Sequence, residues 1–216
     1  MITSLTIDQL ENYLLSSISN HIPDGWTGYS LKQFLKDAMD RIDYCFSHIH
    51  RKYYRNEGKV VFNHLNTDHM ASLLYFLGNT VWQATGDEEL PTRLFYLNKI
   101  LHSLDLYFSV QMPKVFMLVH PVGTVIGQAE YSDYLVIYQN VTIGSDDGLY
   151  PKLGKEVIFY AKSSLVGNCH VGNNIVFGSN SFLINTDIPD DTIVVGRYPN
   201  HRFKPNSVSV CSREWN

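Results

Sequence analysis

The stretch from Leu153 to Ile184, LGKEVIFYAKSSLVGNCHVGNNIVFGSNSFLI, repeats every six residues. Leu153, Phe159, Leu165, Val171, Phe177 and Leu183 form an unbroken apolar series with five residues between neighbours. Four places after the first five of these stand Val157, Ser163, Cys169, Ile175 and Ser181, all small or β-branched. Strands of an ordinary sandwich alternate in twos and recur every ~8 to 12 residues, so they do not produce this pattern. A period of six describes a short strand, one large inward side chain and a corner. Three such units close a triangular coil, and successive coils stack into a parallel β-helix. Gly154, Gly172 and Gly178 follow members of the inward series. They suit corners that need positive φ, where a Cβ is costly.

Upstream, the pattern weakens and then gives way. Val125, Tyr131, Ile137 and Ile143 continue the period, while Ile126-Gly127 sits one residue out of register, as a one-residue deletion would leave it. Before Pro113 the periodicity is helical. Thr6 and Gln9 form a capping box ahead of LENYLLSSI, and Ser30 is placed to cap a long amphipathic helix through Tyr54. Asp68 opens a third helix that ends at Gly86, and Pro91 marks the first turn of a fourth that runs to about Phe108. The expected class is α+β, with a helical domain over residues 1–112, a β-helix over 113–200 and a tail over 201–216.

Composition excludes several function classes. The chain has 216 residues, a formal charge of -4 and 44% apolar residues, enough for a packed core and without a basic footprint for nucleic acid. No apolar run approaches the roughly 20 residues that span a bilayer, and the first residues, MITSLTIDQLENYLLSSISN, lack a basic leader; a cytoplasmic protein is expected. Cys45, Cys169 and Cys211 are far apart and without CxxC spacing, so neither a disulfide framework nor a structural zinc site is expected.

HPVGTVIGQAEYSDYLVIYQNVTIGS, His120 to Ser145, together with the repeat from Tyr150 to Pro199, resembles the left-handed β-helix of the hexapeptide acyltransferases, specifically the serine acetyltransferase type. TDHMASLLYFLGNTVW, beginning at Thr67, extends the resemblance into the helical half. The likeness implies direct acetyl transfer from acetyl-CoA, as co-substrate, to a hydroxyl, without a metal. It implies His120 as general base, since an imidazole near pKa 6.5 can take a proton that an alcohol holds at pH 7. It also implies an orienting acid fifteen residues earlier, which here is Asp105. Asp68 matches the family's substrate-side aspartate. Gly144, Ser145, Ala161 and Ser179 match the small residues along which pantetheine lies, and Arg202 and Lys204 are candidates for the CoA phosphates. The family forms trimers with sites at subunit interfaces, and pairs them into hexamers, so a homotrimer or hexamer is expected.

Three departures concern the acceptor. Val119 stands where those enzymes carry an aspartate, Leu149 and Tyr150 stand where they carry an arginine and a histidine, and the glycine-rich loop just ahead of that pair is shortened to GSDDG. Losing these charges removes partners for a serine carboxylate and ammonium. The expected acceptor is therefore a sugar hydroxyl of a surface polysaccharide or its precursor, with Tyr150 against the ring. Serine is the alternative, argued chiefly by Asp68. A non-catalytic β-helix scaffold and a carbonic-anhydrase-like zinc site are further readings, the latter disfavoured because His120, His170 and His201 lack the spacing.

Overall fold

In the computed structural model, which describes residues 1–215, the six-residue period becomes rungs of parallel strands. Four helices come first: α1 (Ile7–His21), α2 (Lys32–Ser47), α3 (Thr67–Thr85) and α4 (Glu89–His102), with a small sheet of β1 (Ile2–Thr3), β2 (Arg55–Asn56) and β3 (Lys59–Phe62). The β-helix comprises β4 (Leu104–Leu106), β5 (Phe116–Leu118), β6 (Thr124–Ile126), β7 (Leu135–Ile137), β8 (Thr142–Gly144), β9 (Lys152–Leu153) and β10 (Val157–Phe159). It continues through β11 (Ser164–Val166), β12 (His170–Val171), β13 (Ile175–Phe177), β14 (Phe182–Ile184), β15 (Thr192–Val195) and the antiparallel β16 (Arg202–Pro205), before α5 (Val210–Glu214).

Three faces result. One runs β5-β7-β10-β13-β15-β16, the second β4-β6-β8-β11-β14 and the third β9-β12. Val157 lies beside Ile175 and Leu165 beside Leu183, eighteen residues or three hexads apart. Leu153, Phe159, Leu165, Val171, Phe177 and Leu183 all point into the core, and the Phe159 and Phe177 rings stack at 4.2 Å between centroids. The shifted register upstream is visible too: Ile126 is buried and pairs with Ile143, whereas Val125 is exposed.

The corner glycines have a different cause from the one expected. Gly154 and Gly172 do not have positive φ; that conformation falls on Asn140, Asn174 and Asn180, among others. A Cβ on Gly154 would stand 2.6 Å from the carbonyl oxygen of Gly172, and one on Gly172 would stand 2.6 Å from the Asp190 nitrogen. Close stacking of coils excludes a side chain there.

Local signals hold at some helix ends and fail at others. The Thr6–Gln9 capping box forms, Gly86 closes α3 at φ 72°, and Pro91 lies in the first turn of α4. Ser30 does not cap α2: the Leu31 N–H donates to Glu11 Oε1 at 2.7 Å, and the Ser30 hydroxyl donates to the same oxygen. The helix stops at Ser47, where the Arg55 guanidinium takes the carbonyls of Ser47 and Ile49. Asn66, not Asp68, is the cap of α3. Ser103, at φ 53°, ends α4 early, and Leu104–Leu106 joins the β-helix by pairing with β6, so the repeat begins before residue 113.

The halves are tied by the connection between them. Tyr75 of α3 donates its hydroxyl to the Val110 carbonyl at 2.7 Å, Asn79 donates to that of Phe108 at 2.8 Å, and the Cys45 thiol of α2 donates to that of Phe116 in β5. These bonds fix α3 beside the first coil. Its N-terminus consequently meets the corner after β5.

Candidate active site

That corner carries His120. Its φ is 48°, a left-handed conformation unusual for a residue with a Cβ and more so before proline. The turn is held by Val122 N–H donating to the His120 carbonyl at 2.6 Å, and by the His120 N–H donating to both oxygens of Asp68 at 3.2 Å. The imidazole itself is open, 77% exposed, with Nδ1 3.8 Å from Asp68 Oδ2.

Asp68 lies in the first turn of α3, where the helix dipole favours an anion. Asn66 accepts the Asp68 N–H at 3.0 Å and so positions the carboxylate. Burial pushes the Asp68 carboxyl above the usual carboxylate range, against the His120 N–H, the His120 ring and the Arg51 charge, which pull it down. Asp68 and His120 open into a cleft of about 330 Å³ whose walls include Arg51, Tyr54, Asn66 and Val119. Val119 is buried and gives the cleft an apolar patch beside the histidine.

Asp105 is placed differently. It faces outward from β4, half-exposed, and accepts from Lys99 Nζ at 2.8 Å. Among the described residues no hydrogen bond joins Asp105 to His120; the acid facing the histidine is Asp68. The reason is local: Lys99, in the last turn of α4, reaches Asp105 across the Ser103 bend.

The small residues fall into two groups. The His120 corner continues upward coil by coil, with Asn140 N–H on the Val122 carbonyl, Lys162 N–H on that of Gln139 and Asn180 N–H on that of Ala161. At one strand spacing per coil, Ala161 and Ser179 lie roughly 10 and 14 Å above the His120 corner. Gly144 and Ser145 lie at the opposite end of the second face, where the space beside Gly144 is open. Arg202 and Lys204 are exposed on β16, at the far end of the stack. Tyr150 is also exposed, in a separate hollow with Glu130, Lys152 and Asn168, and within one chain it does not line the His120 cleft.

Arg51, Tyr54 and Asn66 are cleft residues that sequence reasoning missed. Arg51 and Tyr54 belong to the basic and aromatic run HRKYYR, His50 to Arg55, where apolar periodicity lapses; Asn66 stands outside it. Among the described residues no three His, Cys, Asp or Glu side chains converge to hold a metal, and no helix is long and apolar enough to cross a membrane.

No protein-family model matches the chain. It is 30% identical over 112 residues to a serine acetyltransferase of Synechococcus elongatus, covering 50% of this chain and 46% of that one. It is 27% identical over 119 residues to a serine acetyltransferase of Staphylococcus aureus, covering 53% and 55%. The chain thus matches about half the length of these curated relatives. Among solved structures it superposes on serine acetyltransferase from Vibrio cholerae with a TM-score of 0.70 at 19% identity, over 97% of this chain and 86% of that one. A coenzyme A complex of the Brucella abortus enzyme gives 0.69 at 16% identity, over 93% and 84%. Helical half and β-helix together, this chain is a hexapeptide-repeat protein with the fold of the serine acetyltransferases.

Proposed function

We propose that the chain is an acetyl-CoA-dependent O-acetyltransferase with serine as its acceptor and His120 as general base. The observation that carries this reading is the meeting, at one corner, of an open imidazole and a carboxylate at the foot of the edge that rises to Ala161 and Ser179. His120 takes the acceptor's hydroxyl proton as the oxygen attacks the thioester carbon. The tetrahedral oxyanion then collapses, the carbon–sulfur bond breaks, and the imidazolium returns its proton to the CoA thiolate. Asp68 stabilises that imidazolium and meets the acceptor's ammonium.

The acceptor is where this reading departs from the sugar hydroxyl expected above. That expectation leaned on Tyr150, which stands away from the cleft in the single chain. The cleft offers charge instead, and the relatives reported above are serine acetyltransferases. Both favour an amino acid over a saccharide.

Two further roles belong to the proposal. Pantetheine runs up the Ala161–Ser179 corner with Gly144 and Ser145 across the face, and Lys204 meets CoA phosphates. Asp105 orients the imidazole once Lys99, which donates to it in the single chain, releases it. The exposed ring and the distance of Tyr150 and Lys204 favour a homotrimer, single or paired as a hexamer, in which a second copy completes each site. Light scattering reads the mass, and a monomer at all concentrations refutes the shared site.

The deciding experiment is release of CoA thiol from acetyl-CoA with serine, free sugars and nucleotide sugars as acceptors. Serine alone is expected to turn over. Turnover confined to sugars overturns the acceptor, and no turnover without CoA binding favours a scaffold. His120→Ala is expected to lower kcat by about 10²–10⁴ with CoA affinity retained. Asp105→Asn is expected to lower kcat at constant serine KM; an unchanged kcat leaves Asp68 as the one acid serving the base.

A further inference from the structure

A serine acceptor brings a carboxylate as well as an ammonium group, and this chain has Leu149 and Tyr150 where the resembling enzymes place its cationic partners. The His120 cleft nevertheless contains a guanidinium. Arg51 follows α2 in a turn closed by Tyr54 N–H on the Arg51 carbonyl at 2.9 Å, and its side chain, one-third exposed, lines the same cleft as Asp68 and His120.

One edge of that guanidinium is anchored. Nη2 is ion-paired with Glu214 Oε2 and donates to the Tyr138 hydroxyl at 3.2 Å. Glu214 is 8% exposed and also accepts from the hydroxyls of Tyr138 at 3.4 Å and Tyr160 at 3.3 Å. It is delivered by α5, which is fastened by buried Val210 and Trp215, the indole edge-on to Tyr134. The other nitrogens are uncommitted: among the described residues neither Nε nor Nη1 of Arg51 makes a hydrogen bond. A guanidinium held at Nη2 has a fixed plane, so its Nη1 protons meet a carboxylate from a set direction, which a lysine's freely turning ammonium would not.

We infer that Arg51 is the carboxylate-binding residue for an α-amino-acid acceptor, with Nη1 meeting the carboxylate, Asp68 the ammonium group and His120 the hydroxyl. Glu214 is the positioning residue that holds the guanidinium. This rests on the serine reading and adds to it a recognition element that replaces the missing charges at Leu149 and Tyr150. The same residues disfavour alcohols without a carboxylate, since the partly buried guanidinium would be left without its partner in the cleft.

The test compares L-serine with L-serinamide, which keeps the hydroxyl and ammonium and lacks the carboxylate. The wild type is expected to favour serine by about 10² in kcat/KM, the scale of a lost charged pair. Removing Arg51 alone would strand Glu214, so the informative variant is Arg51→Gln with Glu214→Gln, its fold checked by circular dichroism. It is expected to discriminate less than about tenfold, with the acetyl-CoA KM within about twofold of wild type. Arg51→Lys, which keeps the charge, serves if the double variant unfolds, with discrimination reduced about tenfold. Retained discrimination in either folded variant overturns the inference, as does a wild type that acetylates both compounds equally. Calorimetric binding of the two compounds separates the failures. Arg51-dependent preference for serine without acetyl transfer sustains the carboxylate site and sinks the transferase reading; binding of neither sinks both.

Discussion

In the β-helix, main chain pairs with main chain from coil to coil, so inward side chains carry little hydrogen-bonding duty: Leu165, Phe177 and Leu183 are fully buried, and the small polar Ser163 satisfies itself on the Tyr160 carbonyl. In the helical half the connections are irregular, and long-range side chains do that work. Asn79 reaches the Phe108 carbonyl, Tyr75 that of Val110, and Asn98 that of Ala71 while also holding His102. Repetition therefore makes one interior apolar and tolerant, while irregularity makes the other polar and specific. The charged cleft residues come from the irregular half: Arg51 and Asp68 face a histidine that the repeat merely presents at its first corner.

The contrast breaks most directly at the ring stack. Phe177→Ala is expected to cost about 3–5 kcal/mol, because the neighbouring coils are held by their own ladders and cannot close around the void. Denaturant unfolding measures it, and a loss below about 1 kcal/mol would show that the coils collapse freely. Acid acts on the other half. Burial holds His69 and His102 at about 4, below their usual 6.5. Above 6.5 both are neutral folded or unfolded; below it the unfolded chain binds protons that the native state refuses. Stability is thus lost as pH falls from 6.5 to about 4, by up to about 3 kcal/mol for each histidine. Asp68 opposes this, because its raised carboxyl binds its proton more readily in the native state. His69→Gln, which keeps an acceptor for the Asn63 N–H, should flatten the pH dependence of the denaturant midpoint relative to wild type. An unchanged slope would place the acid sensitivity elsewhere.

The same division explains what could be read in advance. The series Leu153 to Leu183 declares its inward face because each residue's fate is set by a local period. Even the slip at Ile126 is written in the spacing. The corner glycines show the limit: their positions were legible, but their cause was the approach of the next coil. The end of α4 was hidden because Leu104 and Leu106 fit a helix as well as a strand, and pairing with β6 decides between them. His120, Asp68 and Asp105 were visible as residues, but not their directions in the single chain, which Lys99 and the cap at Asn66 set for Asp105 and Asp68. Arg51 stands in a basic and aromatic run, but nothing in that run assigns it a role. Its guanidinium is set by Glu214, which the fold brings from the opposite end of the chain.

Smaller effects should follow the polar ties of the helical half. Asn79→Leu removes the partner of the buried Phe108 carbonyl and an acceptor 2.8 Å from Arg41 Nη2, with an expected loss of about 1–3 kcal/mol in denaturant unfolding. A neutral result would mean that water replaces the amide.

Two helix caps give the finest comparison. Thr6 accepts the Gln9 N–H at 3.3 Å far from the cleft, and Asn66 accepts the Asp68 N–H at 3.0 Å on the cleft wall. Alanine at either position is expected to cost about 1 kcal/mol by leaving first-turn donors unpaired. The kinetic consequences differ, because fraying α3 loosens the carboxylate facing His120 and fraying α1 does not. Asn66→Ala should therefore raise the acceptor's KM several-fold with little change in the KM of acetyl-CoA, while Thr6→Ala leaves both unchanged. Equal kinetic effects from the two caps would mean that global stability governs the cleft, and that the α3 N-terminus has no special part in holding it.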